Sequence, residues 1–261
     1  MRFQDKRVFI TGGTKGLGRE LARAFIGEGA TVGVNGRTQE AIDRFLEEFS
    51  DKGAIAFKSD ISNYDEIEDM VTRVIERWAR VDIIVNNAGV ASLPAPAEKI
   101  KRAELERVID VNIKGTFYVT QAFGSQMIKQ GKGRIINVAS QAGLYGEKGF
   151  LPYAMSKAAI ILMTHNLAYE WSGYGVTLCG IAPGFIKGGM NEGLLRREAF
   201  VDYLSRRTPI KRMCNVDEFV STILFLATDA ASYINGETIV MDGGMTGYIE
   251  ESFWDFMMKA R

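Results

Sequence analysis

Tyr153 and Lys157 stand four residues apart in the stretch Tyr153-Ala154-Met155-Ser156-Lys157. On a helix that spacing puts both side chains on one face, where they can act on the same ligand. A phenol with its ordinary pKa of about 10 is a poor base at neutral pH, but a nearby positive charge favours the phenolate and makes proton transfer at working pH feasible. Nine tyrosines and 14 lysines in 261 residues predict about 0.5 such pairs by chance, so the surroundings must carry the reading. A second constellation, Thr11-Gly12-Gly13-Thr14-Lys15-Gly16-Leu17-Gly18, lies between a strand-like run and a helix-like segment. Glycines there let the backbone turn tightly and approach a pyrophosphate, while a helix N-terminus aims unpaired N–H groups and partial positive charge at the anion.

The elements that must position these groups are legible as an alternation. Short apolar runs recur at residues 7–11, 31–35, 54–58, 82–86, 133–140, 176–182 and 237–241. They are nearly continuous in apolar character, as parallel strands covered on both faces are. Between them, residues 17–28, 38–51, 64–79, 102–130, 153–172 and 216–228 place apolar residues at helical spacing. Ser62-Asn63 and Asn215-Val216-Asp217-Glu218 supply helix-start signals. The pattern predicts an α/β fold: one Rossmann-type, doubly wound parallel sheet of about seven strands with helices on both faces. Residues 1–248 form the expected catalytic domain, with a lid at about 185–209 inside the irregular stretch 184–209. An apolar tail, residues 249–261 with Phe253, Trp254, Phe256, Met257 and Met258, is expected to pack on its own domain or on a neighbouring subunit.

The glycine spacing is Gly12-x-x-x-Gly16-x-Gly18 preceded by threonine, and in this form it resembles the short-chain dehydrogenase/reductase family. The resemblance extends in order through Asp60, Asn86-Asn87-Ala88-Gly89, Asn112, Ser140, Tyr153-x-x-x-Lys157 and Pro183-Gly184. Around residues 198–209 and 235–245 the chain also looks similar to gluconate 5-dehydrogenases, and nearly as similar to 3-oxoacyl-carrier-protein reductases and to broader ketone reductases, including those acting on steroids. The resemblance implies hydride transfer between a nicotinamide cofactor and a ketone or secondary alcohol. Ser140 would hydrogen-bond the reacting oxygen, Tyr153 would carry its proton, Lys157 would also hold the nicotinamide ribose, and Asn112 would position a water leading from Lys157 to solvent. The cofactor would lie on Gly12, Thr14, Lys15, Gly16, Leu17, Gly18, Asp60, Ile61, Asn87, Ala88, Gly89, Tyr153, Lys157, Pro183, Gly184 and Ile186.

Where NAD enzymes of this type carry an acidic residue after the second strand, this chain reads Asn35-Gly36-Arg37. Arg37 could fork onto a 2′-phosphate and Lys15 add a second charge, so NADP(H) is expected over NAD(H). Expected substrate-facing residues are Ser140, Gln141, Tyr145, Phe150, Tyr153, Phe185 and Met190, with Leu144, Ile186, Leu194 and Tyr203 as further wall candidates and Lys187, Arg196 and Arg197 as basic groups near the entrance. Many relatives place a threonine after Pro183-Gly184; here Phe185-Ile186-Lys187-Gly188-Gly189 has none, and its glycines suggest a lid hinge. A cofactor sensor without turnover is the alternative class, and it leaves the serine and tyrosine without a chemical use.

Thirty-two basic residues balance 32 acidic ones, which gives no electrostatic footprint for nucleic acid or anionic lipid. The start lacks the pattern of a secretory signal and no run approaches a membrane span, so a cytoplasmic protein is expected. Cys179 and Cys214 are expected as reduced thiols, and with His165 the only histidine no metal site is expected. The expected partners are a small carbonyl or alcohol substrate and further copies of the chain, as a homodimer or the homotetramer that the resemblance implies.

Overall fold

The computed structural model describes residues 1–146, 148–188, 197–247 and 258. Seven strands run β1 (Arg7–Ile10), β2 (Thr31–Gly36), β3 (Ile55–Lys58), β4 (Ile83–Asn86), β5 (Gly133–Val138), β6 (Val176–Pro183) and β7 (Thr238–Met241). All pair in parallel, in the order β3-β2-β1-β4-β5-β6-β7. The order reverses at the junction of β1 and β4, and in open sheets of this kind ligands bind outside the carboxyl ends of the strands at that switch.

Alternation along each strand explains the continuous apolar runs. Val8, Ile10, Ile83, Val85, Ile136 and Val138 face one core, built with α1 (Gly16–Gly27), α2 (Gln39–Phe49) and α8 (Val216–Leu226). Phe9, Ile84 and Ile135 face the other, built with α3 (Tyr64–Trp78), α5 (Thr116–Gln130) and α6 (Leu151–Trp171). Helices cover both faces of the central strands, which is why their runs are nearly continuous in apolar character, while β7 at the edge is half-exposed. Asn63 starts α3 by accepting the Asp65 and Glu66 N–H groups, and the Glu218 carboxylate accepts from the Asn215 N–H at the start of α8.

Two elements depart from the expected pattern. The single helix expected over 102–130 is α4 (Arg102–Val108), a π-helical turn (Ile109–Gly115) and α5 in succession. The irregular stretch 184–209 contains α7 (Glu198–Arg207), whose Phe200, Tyr203 and Leu204 pack with Met213 and Met245 in a small separate core. Its ten residues follow no clear start signal, which is why periodicity alone passed over it.

Polar side chains inside the sheet fasten the helices to it. Asn86 on β4 donates to the Thr120 hydroxyl on α5 (2.8 Å) and to Asn137 on β5 (2.8 Å). Asn137 in turn donates to Thr164 on α6 (2.9 Å), so the helix that carries Tyr153 is indexed to the central strands. At the other end of β5 the Arg134 guanidinium is buried and, among the described residues, pairs with no carboxylate. It donates to the Leu226 carbonyl (2.9 Å), the Ile234 carbonyl (2.9 Å), the Ala231 carbonyl (3.2 Å), the Thr177 hydroxyl (3.1 Å) and the Cys179 sulfur (3.1 Å). Among the described residues no helix is long and apolar enough to cross a membrane.

Candidate active site

The glycine loop leaves the carboxyl end of β1 at the switch and enters α1 at Lys15, which makes no side-chain cap, with no acidic residue in the first turn. The leading N–H groups of α1 are thereby left for an anion. A β-carbon on Gly18 would collide with the Gly12 carbonyl oxygen, so the helix can press on the loop only because position 18 is glycine. Asn35, at the end of β2, accepts the Gly12 N–H (2.9 Å) and donates to the Ser59 carbonyl (3.0 Å), tying the loop to two strand ends. Thr14 is buried against Gly36, and Leu17 packs on the core below. This cradle of close glycines, open N–H groups and no acid fits a dinucleotide pyrophosphate.

Along the neighbouring strand ends the Thr11 hydroxyl accepts the Asn87 and Ala88 N–H groups, both at 3.0 Å, while the Asn87 amide donates to the Thr11 carbonyl (3.0 Å). Asp60 uses one carboxylate oxygen on the Ser62 N–H and hydroxyl, and Ile61 is buried beside it. Arg37 and Lys15 are exposed at the carboxyl end of β2 and the start of α1, and neither is paired among the described residues. Gln141, Pro183, Gly184 and Ile186 lie past β5 and at the end of β6; Ile186 packs inward on the core and bridges to Cys214.

Ser140, Tyr153, Lys157 and Asn112 converge at the carboxyl edge of β5. Lys157, almost fully buried, donates its Nζ to the Val138 carbonyl (2.8 Å) and sits 5.7 Å from the Tyr153 ring centroid. Asn112, in the π-helical turn, accepts the Val90 N–H (2.8 Å) and donates to the Val90 carbonyl (2.9 Å) and the Ser156 hydroxyl (2.9 Å). Ser156 donates to the Tyr153 carbonyl (2.7 Å), so Asn112 is joined through Ser156 to the first turn of α6. Gly89 lies against Asn112 and Lys157. Ser140 accepts the Ala142 N–H and opens a short turn (Gln141–Gly143) that rests on α6. A β-carbon on Gly143 would come within 2.6 Å of the Lys157 carbonyl carbon, so only glycine brings Ser140 this close to Tyr153.

The phenol is expected to be lowered by the Lys157 ammonium together with a positively charged nicotinamide; in the chain alone burial dominates. Burial pushes the Tyr153 phenol up, with a Ser140 hydrogen bond opposing it, and the same burial pushes the Lys157 ammonium down to about 8. Burial penalises each charged form, and for Tyr153 the Ser140 hydrogen bond offsets only part of that. The sign of the consequence follows from linkage. An unfolded lysine titrates at about 10.4, so between about pH 8 and that value the unfolded chain holds the extra proton and native stability rises with pH. From about pH 7.5 to pH 10, wild type should gain about 2–3 kcal/mol of unfolding free energy relative to Lys157→Met. Parallel pH curves for the two proteins in denaturant titrations would contradict a buried ammonium.

Some positioning groups escaped sequence reasoning. Asn35, Ser156, Asn137 and Thr164 are polar residues in or beside apolar runs; a buried asparagine in a strand was the available signal. Of the expected walls, Phe150, Phe185 and Tyr203 pack in or on the small core around α7, and Leu144 is exposed. Met190, Leu194, Arg196 and the tail apart from Met258 lie outside the described residues. His165 is an exposed helix residue, and both cysteines are free.

Comparison with known proteins agrees with this geometry. Residues 12–246 match the family described as enoyl-(acyl carrier protein) reductase. Gluconate 5-dehydrogenase of Gluconobacter oxydans is 34% identical over 242 residues, covering 92% of this chain and 94% of that protein. A 3-oxoacyl-(acyl-carrier-protein) reductase of Thermotoga maritima is 36% identical over 247 residues, covering 94% and 99%. A crystal structure of a gluconate 5-dehydrogenase from Burkholderia cenocepacia, in complex with NADP and tartrate, aligns with TM-score 0.89 at 33% identity, covering 95% of this chain and 98% of that one. The fold and these similarities define a Rossmann-type oxidoreductase. More particularly, the chain belongs to the short-chain dehydrogenase/reductase family.

Proposed function

We propose that the protein interconverts a ketone and a secondary alcohol with NADP(H), in the manner of a gluconate 5-dehydrogenase or a broader carbonyl reductase. The observation that carries this reading is the convergence of Ser140, Tyr153 and Lys157 at the strand edge beside an anion-binding glycine loop. The nicotinamide supplies or accepts the hydride when bound. Ser140 donates to the substrate oxygen as charge develops on it, and Tyr153 gives that oxygen its proton, or takes it in the oxidative direction. Lys157 stabilises the phenolate left on Tyr153 and reaches toward the cofactor ribose. Asn112, through Ser156, keeps the first turn of α6 in place. Gly12, Gly16 and Gly18 hold the pyrophosphate, and Asp60 and residues 87–89 line the adenosine path.

The NADP preference rests on Arg37 and Lys15, two exposed cations at the carboxyl end of β2 and the entry to α1 with no acidic residue at that strand end. A guanidinium fork matches a phosphate, whereas an aspartate would repel it. Arg37→Asp should therefore move the ratio of kcat/KM for NADPH over NADH by at least about tenfold toward NADH. An unchanged ratio rules out Arg37 as the discriminator. The substrate reading is tested by cofactor oxidation across 5-ketogluconate, acetoacetyl thioesters, steroid ketones and small diketones. No turnover with any of them would sink it.

A further inference from the structure

The backbone of the loop that leaves β4 at the switch is held by side chains rather than by another strand. Asn112 takes both polar groups of Val90, the residue after Gly89, which itself lies against Lys157. On α4, Arg107 donates to the Ala91 carbonyl (2.7 Å) and Glu104 accepts the Leu93 N–H (2.7 Å). The two side chains also bond each other, at 3.0 Å and 2.8 Å, as residues three apart on a helix can. Farther along, the Ala95 N–H donates to the Gly149 carbonyl (2.9 Å), so the loop runs from beside Lys157 to a joint two residues ahead of α6.

This clamp is not a stability device. Arg107 is 42% and Glu104 16% exposed, and ion pairs that meet water contribute little to folding. The clamp stays charged at neutral pH, because the Arg107 hydrogen bond, and after it the Leu93 N–H, hold the Glu104 carboxyl below the usual carboxylate range against burial. What it fixes is direction. Ser92 is buried between the two gripped residues, and Leu93 is turned outward, 71% exposed, with its N–H pinned. Leu151, just past the Gly149 joint, is 45% exposed as well. A leucine exposed by itself needs no explanation; one held in place by an ion pair at the carboxyl edge of the sheet, where this kind of fold binds ligands, does.

We infer that Glu104 and Arg107 are positioning residues that hold Leu93 as an apolar contact for the substrate, so that the enzyme favours ketones carrying an alkyl arm over short ones. Each methylene that such an arm lays against Leu93 leaves water, and the gain belongs to substrate binding, not to the proton or hydride step. Glu104 acts only through Leu93, by way of its N–H. This inference rests on the ketone and alcohol reading of the site.

The test measures NADPH oxidation with butan-2-one, hexan-2-one and octan-2-one. In wild type kcat/KM should rise by about tenfold or more from butan-2-one to octan-2-one, through KM rather than kcat. Leu93→Ala and Glu104→Ala should each cut that rise to less than about threefold, and the double variant should be no flatter than the single ones, because both act on one contact. Glu104→Gln, which keeps an acceptor for the Leu93 N–H, should restore most of the rise. A Glu104→Ala protein that unfolds earlier but keeps the full rise would make the clamp merely structural and overturn the inference. Leu93→Ala, at an exposed position, carries the test where Glu104→Ala does not fold. A flat wild-type series, or turnover of 5-ketogluconate with all three ketones inert, overturns the inference and leaves the reaction class intact; no turnover of any carbonyl in either set overturns both.

Discussion

Tyr153→Phe is expected to lower kcat by about 10²–10⁴-fold while leaving NADP(H) binding and the unfolding midpoint close to wild type. The range is that of one positioned acid–base group. The ring fills the same volume, so packing is kept and only the hydroxyl is lost. Lys157 remains bound to the Val138 carbonyl, and Ser156 bonds the backbone carbonyl of residue 153, which does not change. The loss should therefore fall on kcat with little change in cofactor affinity, measured by steady-state kinetics beside a fluorescence titration of bound NADPH. A variant retaining more than about a tenth of wild-type turnover would transfer the proton step to another group.

The convergence of Ser140, Tyr153 and Lys157 was largely readable in the chain, because they sit at fixed places in a repetitive architecture. Strands buried on both faces announce themselves by unbroken apolar runs, and the glycine loop and Tyr153-x-x-x-Lys157 by spacing. What could not be read is how polar groups are satisfied after folding. Thr11, Asn35 and Ser156 act through partners distant in sequence, and one residue type makes many kinds of contact. The sign of the Tyr153 and Lys157 shifts was also hidden, because it depends on how deeply the fold buries the two groups. Helix α7 was lost for a local reason, since its apolar face is short and packs on a satellite core.

Arg134→Met should cost about 3–5 kcal/mol of unfolding free energy, the largest stability effect expected from a single site remote from the chemistry. Burial pushes the Arg134 guanidinium down, so the charge itself is a burden that methionine removes. Against that, the carbonyls of Leu226 and Ile234 lose their donor together, while Ala231 keeps the Ile234 N–H, and each unmet buried acceptor costs about 1–3 kcal/mol. Leu226 ends α8, so the guanidinium also neutralises the negative end of that helix. Arg134→Lys should recover little, because one ammonium cannot span groups that a planar fork reaches from five N–H positions. Denaturant midpoints of the two variants check both statements; a loss below about 1 kcal/mol for methionine would mean that water or local shifts replace the guanidinium.

The π-helical turn between α4 and α5 has a consequence for how this region can vary. Each residue of an α-helix advances the chain by about 100°, so the extra residue held in that turn sets α5 a third of a revolution away from where α4 would have aimed it. The faces of the two helices are thus geared to different phases, and Val119, Phe123 and Met127 meet the sheet only in the second phase. Running the stretch Ile109–Gly115 as unbroken α-helix with all its residues kept would swing those three side chains out of the core, whereas losing one residue together with the wide turn would leave them facing it. In this part of the chain, residue count and the wide turn are a single requirement: neither can change without the other.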